Sequence, residues 1–178
     1  MRSRLLRMVE TCDLVVAGRD AEFHLEPGEG ITPLVEHIVT KGSRPVVMSG
    51  PEWVASGPVL EACDGSAPAA KALQIAVLLE IPGSDKVHIL SISRDRSEAT
   101  AVPSEPRAFL AVHGVVADLA AIQSSDHPAD VLPRRASEAR ARMLVMGAFG
   151  HRGFREILFG STTRRLFDKV PLPLFIHH

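Results

Sequence analysis

Short apolar runs alternate with longer stretches in which apolar residues recur every three or four positions. Leu14 to Ala17 is an unbroken apolar run closed by Gly18, the length of a buried strand. Ahead of it, Ser3 to Glu10 sets Leu5, Leu6 and Val9 on one side of a predicted helix. Arg19 to Gly30 is polar and turn-rich, Thr32 caps a predicted helix through Leu34, Val35, Ile38 and Val39, and Pro45 to Met48 reads as a second strand. Turn formers fill Gly50 to Pro58, with Trp53 expected to cover an apolar edge. Val59 to Cys63 is the next strand, and Ser66 or Asp64 caps a helix from Pro68 to Glu80 whose Ala69, Ala72, Leu73, Ala76 and Leu79 make one apolar side. Val87 to Ile92 is again a strand. Arg94 to Pro106 is polar and carries Pro103 and Pro106, which leaves Arg107 to His113 for a short helix. Val115 to Ile122 predicts a further strand, and Pro128 to Ala141 a helix in which Pro133 is either a kink or a second start. Strands and helices that alternate in this way predict an α/β fold with a parallel, doubly wound sheet.

The stretch from Arg142 to Pro173 carries the candidate chemistry. Met143 to Met146 is a buried-strand run, and Gly147-Ala148-Phe149-Gly150-His151-Arg152-Gly153 is too rich in glycine to extend it. Phe154 to Phe159 leads to Gly160-Ser161-Thr162-Thr163, and Arg164 to Lys169 then predicts a helix stopped by Pro171 and Pro173, with Ser161 or Thr162 as its cap. A strand that delivers glycines to its carboxyl end, followed by a helix whose first turn offers free N–H groups and hydroxyls, is how an α/β fold holds phosphate. The spacing Gly-x2-Gly-x9-Gly-Ser, from Gly147 through Gly150 to Gly160 and Ser161, resembles the nucleotide-binding signature of the universal stress proteins.

The pattern also repeats. Asp13 to Gly18 aligns with Arg142 to Gly147, Gly30-Ile31-Thr32 with Gly160-Ser161-Thr162, and Arg44 to Val47 with Leu172 to Phe175. The resemblance is therefore to a tandem universal stress protein whose first copy is represented by its C-terminal half: residues 1–50 form the half copy, 51–57 a linker, and 58–178 a complete domain. In the first copy Glu22, Glu26 and Glu29 stand where phosphate would lie, so no nucleotide is expected there. The expected architecture is an open, doubly wound, Rossmann-like parallel sheet of strand order 3-2-1-4-5, akin to the adenine nucleotide alpha hydrolases and preceded by a half copy of the same fold. The ligand crevice of such a sheet lies where strand order reverses, between its first and fourth strands.

The resemblance implies that Ala62 and Asp64 face adenine and ribose, Ile92 lines the adenine pocket, Met146 and Gly147 close over it, and Gly150, Gly160, Ser161 and Thr162 take the phosphates. The implied ligand is ATP, with Mg2+ held by phosphate and water. Taken singly, each residue has a plainer reading: the glycines a tight turn, Ser161 and Asp64 helix caps, Arg152 and Arg155 a solvated face. Twenty basic against twenty-one acidic residues, a net charge of −1, and no tyrosine beside one tryptophan give no basic or stacking surface for nucleic acid and none for a membrane. The scattered His113, His127 and His151 lack metal-ligand spacing, and His177-His178 reads as an exposed tail. Cys12 and Cys63 read as free thiols of a reducing, cytoplasmic compartment, Cys63 as a buried inert one beside the proposed pocket. The resemblance implies a regulatory ATP-binding protein whose nucleotide state changes assembly or partner contacts, and since neither a Walker lysine nor a Gly-x-Ser-x-Gly elbow is present, at most a slow ATPase activity is expected. Two alternatives stand beside it: a structural protein that keeps the fold without the ligand, and an enzyme acting on adenylated substrates; strand Pro45 to Met48 is expected to pair antiparallel with Leu172 to Ile176 in an internal pseudo-dimer, or the same edges to form a homodimer.

Overall fold

A computed structural model describes residues 7–18, 38–39, 44–50, 54–101, 104–148, 165–166 and 169–178. The strands are β1 (Val15–Gly18), β2 (Val46–Ser49), β3 (Val59–Ala62), β4 (Val87–Ser93), β5 (Ala117–Gln123), β6 (Met143–Gly147) and β7 (Leu174–His177). The helices are α1 (Ala67–Leu78), α2 (Arg96–Ala101), α3 (Ser104–Val112) and α4 (Pro128–Glu138). All seven strands lie in one sheet, in the order β1-β2-β7-β6-β3-β4-β5. Every neighbouring pair is parallel except β2 and β7, which run antiparallel with Val47 opposite Phe175.

Both faces of the sheet are covered over its inner strands, which is why these are apolar on successive residues rather than alternating. One face carries Leu60, Leu90, Leu144, Met146, Leu174 and Ile176 against Ala129, Leu132 and Ala136 of α4, with Leu166 and Val170. The other carries Val59, Ile89, Val145 and Phe175 against Ala72, Leu73 and Ala76 of α1 and Leu110 of α3. The β3-to-β4 connection therefore begins on one face and the β5-to-β6 connection lies on the other. The carboxyl ends of β3 and β6 are therefore the switch point, where a doubly wound sheet receives its ligand.

The registers on the two sides of the β2–β7 junction are equivalent. Val15, Val16, Ala17 and Gly18 pair with Val46, Val47, Met48 and Ser49 as Leu144, Val145, Met146 and Gly147 pair with Leu174, Phe175, Ile176 and His177. The entry bonds match too: Val15 N donates to Pro45 O and Leu144 N to Pro173 O, both at 3.0 Å.

The segment after β4 departs from the sequence expectation. Instead of one short helix from Arg107, two form, α2 and α3. Asp95 Oδ1 accepts from Ser97 N at 2.6 Å and Glu98 N at 3.3 Å, a cap that starts α2 within the polar stretch. Pro106 falls in the first turn of α3, where its missing N–H costs nothing. A single helix, α4, runs through Pro133. His177 is a second correction: it is 1% exposed in β7, not part of an exposed tail, because β2 on one side and β6 on the other put β7 inside the sheet. Trp53, the Glu22 to Glu29 loop and the Thr32 cap lie outside the described residues.

Candidate functional site

The chain leaves β3 with Cys63 N donating to Leu90 O at 2.8 Å, then turns through Asp64, Gly65 and Ser66. Asp64 Oδ1 accepts from Ser66 N at 3.0 Å, and Gly65 supplies the positive φ of 74° that the turn needs. Of the two caps the sequence allows for α1, Ser66 is the one formed: its Oγ accepts from Ala69 N at 3.3 Å, with a proline in the first turn. Asp64 is thereby left exposed at the mouth of the crevice.

Ala62, Ile92 and Met146 come together on one face. Ala62 is in register with Met146 of β6 and with Leu90 of β4, each one strand spacing away, about 4.8 Å, and Ile92 lies two residues beyond Leu90 on the same face of β4. Met146 is 4% exposed, whereas Ala62 and Ile92 are half-buried and pack against the same cluster. Ile122 joins them from β5, a residue the sequence reading leaves out although its alternation with Ala120 places it there.

Gly147 yields space to the protein's own backbone. A Cβ on it would lie 2.3 Å from Ala69 N and 2.5 Å from Pro68 C, so its bare face receives the first turn of α1. Gly150, Gly160, Ser161 and Thr162, expected to hold phosphate, lie outside the described residues, as do Arg152 and Arg155.

Beneath the turn, on the α1 side, two acidic groups are suppressed. Glu61 is 1% exposed at the centre of β3, between Ile89 and Val145, and neither carboxyl oxygen has a hydrogen-bond partner. Burial drives its pKa well above the ordinary carboxyl range, and the negative charge of Asp64 adds to the effect. Burial also pushes the Cys63 thiol up to about 11, with Glu61 and Asp64 raising it further against a lowering backbone contact from Gly65. A thiol so shifted is a poor nucleophile at neutral pH. His177 is lowered to about 4 by burial, then by Lys71 and His178, and stands neutral. Among the described residues no group of three or more His, Cys, Asp or Glu side chains is arranged to hold a metal ion.

A carboxylate at the strand-to-helix turn, an apolar shelf beside it and a helix amino terminus over Gly147 thus meet at the carboxyl ends of β3 and β6. The model of the Universal stress protein family matches residues 56–178, more than half of the chain and all of β3 through β7. The chain belongs to the universal stress protein family. It is 22% identical to a universal stress protein of Synechocystis over 162 residues, covering 91% of this chain and 56% of that relative. Among solved structures, a universal stress protein from Archaeoglobus fulgidus matches 99% of this chain and 64% of its own at 18% identity and a TM-score of 0.73. A universal stress protein from the same organism in complex with dAMP matches 69% of this chain and 98% of its own, at 20% identity and a TM-score of 0.56. The chain thus spans a little over half of the Synechocystis relative and under two thirds of the first Archaeoglobus structure. No helix among the described residues is long and apolar enough to cross a membrane.

Proposed function

We propose that the protein is a cytoplasmic regulatory nucleotide binder that takes ATP with magnesium in the crevice at the carboxyl ends of β3, β4 and β6. The observation that carries this reading is the joint placement of exposed Asp64 beside the half-buried shelf of Ala62 and Ile92 over Met146, at the point where connections leave the sheet on opposite faces. Asp64 would take the ribose hydroxyls and the shelf one face of adenine. Gly150, Gly160, Ser161 and Thr162 would take the phosphates. The family relative held with dAMP supports an adenine nucleotide as the ligand class. In this reading the nucleotide is bound rather than turned over, with at most slow hydrolysis, and its presence alters assembly or partner contacts.

Residues 1–50 are read here as a half copy of the same fold, supported by the equivalent registers of β1–β2 and β6–β7. A purely structural role is the second reading, favoured by the way β2 fills the β7 edge with no ligand involved.

The deciding experiment is calorimetric titration of nucleotide-stripped protein with ATP and magnesium, alongside a Gly150→Asp, Gly160→Val double variant. One ATP per chain, lost in a folded variant, supports the site. A folded protein that binds none, or a variant with unchanged affinity, removes it.

A further inference from the structure

The amino end of α4 is closed by an imidazole. His127 precedes the helix in an extended conformation (φ −66°, ψ 135°), and its Nδ1 accepts from Ala129 N at 3.2 Å. The usual caps, Ser, Thr, Asp and Asn, do this with an oxygen that accepts throughout the neutral pH range. An imidazole nitrogen accepts only while it is unprotonated, so His127 must carry its one proton on Nε2.

The N–H groups of that first turn all answer to this one residue. Pro128 has none, Asp130 N and Val131 N donate to His127 O at 2.8 and 3.3 Å, and Ala129 N donates to the ring. Ala129 is 0% exposed, so water has no ready access to its N–H once the ring is lost as acceptor. Protonation sets an Nδ1–H against that N–H and places a positive charge at the positive end of the helix dipole. The carboxylate in reach of this charge, Asp130, is already engaged: Lys169 Nζ donates to its Oδ1, and Arg165 Nη1 lies 3.9 Å from its Oδ2. Asp126, the preceding residue, is exposed to solvent. Across the β4–β5 pair, where Ser124 N donates to Ser93 O, the turn after β4 carries Arg94 and Asp95, both exposed and opposite in charge.

We propose that His127 is a proton-sensitive cap: it fixes the amino end of α4 while Nδ1 is unprotonated and releases it on acidification, loosening the floor of the candidate site. The route to the site is short. Ala129 and Leu132 belong to the cluster against which Ala62, Ile92 and Ile122 pack, and Leu166 and Val170 lie in the same cluster. The folded state disfavours the protonated ring and so binds fewer protons there than the unfolded chain does. The cap is therefore complete at high pH and is lost as pH falls through the ordinary imidazole range, about 6.5. It works in this way whatever the crevice holds.

Nuclear magnetic resonance on the whole chain tests this. At pH 7.5 the ring nitrogen shifts of His127 should report the Nε2–H tautomer. Between pH 7.5 and pH 5 the hydrogen-exchange protection of the Ala129 amide should fall about fivefold, the measure of one helix cap. His127→Asn, a cap that does not titrate, should hold its protection across the range, and His127→Ala should be as weakly protected at pH 7.5 as the wild type is at pH 5. Comparing the three proteins at each pH removes the effects of Glu61 and His177, which all of them share. Protection that stays flat in the wild type, or that falls as far in His127→Asn, overturns the proposal. So does a ring protonated on Nδ1 at pH 7.5, or one that stays neutral down to pH 5; both are read on the wild-type chain and need no variant to fold.

Discussion

Glu61 occupies the middle of a parallel strand whose neighbours at the same level are Ile89 and Val145. A carboxyl group with no hydrogen-bond partner there must keep its proton in the folded state, while the unfolded chain releases it near the free value of 4.5. The folded pKa is raised, so the penalty is absent below that value and grows as pH rises through it, by at most about 1.4 kcal/mol for each unit until the folded group also ionises. Urea denaturation between pH 5 and pH 8 should show stability falling with pH, and Glu61→Gln should flatten the slope. A wild-type profile no steeper than that of the variant would show that Glu61 is not the source. His177 acts with the opposite sign. Its folded pKa is depressed to about 4, so stability is intact above 6.5 and is lost as pH falls from 6.5 toward 4. His177→Leu should remove that acid-side loss. Gly147 makes a third residue-level test. Gly147→Ala drives a Cβ into the Pro68–Ala69 backbone and should cost about 1–3 kcal/mol by displacing the start of α1, read as a lowered denaturation midpoint. The motif marks Gly147 in the sequence. That the close approach is made by α1 depends on a residue nearly eighty positions away, which periodicity does not reveal.

At the level of elements, local signals placed the pieces well where the chemistry is local. The Asp64-Gly65-Ser66 turn and the Ala69, Ala72, Leu73, Ala76 stripe mark the start and inner face of α1 in the sequence, and both are found there. The segment after β4 was less legible, because the Asp95 cap and the harmless placement of Pro106 depend on where a helix begins by one residue. Ties between elements were not legible at all. Arg142, at the entry to β6, donates through Nε to Asp85 Oδ2 at 2.8 Å and through Nη2 to Ile81 O at 2.5 Å and Pro82 O at 3.1 Å. It holds the α1-to-β4 turn against the strand that carries Met146 and Gly147. The pair is largely buried, with Arg142 15% and Asp85 31% exposed. Arg142→Met is expected to destabilise the fold by about 2 kcal/mol, since its charged hydrogen bonds are lost and Pro82 O keeps only Asp85 N as a donor. Equilibrium urea unfolding measures this, and a loss within about 0.5 kcal/mol would show the contact to be incidental.

For the whole molecule, the antiparallel β2–β7 junction decides which edges are available. With β2 in place, β7 is interior, and Phe175 and His177 are buried. A chain lacking residues 1–50 keeps β3 through β7 but opens the β7 edge, where Leu174, Phe175 and Ile176 run without a charge. That truncated chain should self-associate more strongly than the full chain. Light scattering on the two proteins reads this difference. A truncated chain that associates no more than the full one would show that β2 does not shield an adhesive edge.

The sequence by itself determined the seven strands, the apolar face of α1, the turn that positions Asp64 and the glycine spacing after β6, because each depends on residues within a few positions of one another. The tertiary structure alone decided that Glu61 and His177 are buried, that the bare face of Gly147 receives the backbone of α1, and that β7 is an interior strand. Each of these follows from which strands become neighbours, and neighbours in this sheet are as far apart in the chain as Val47 and Phe175.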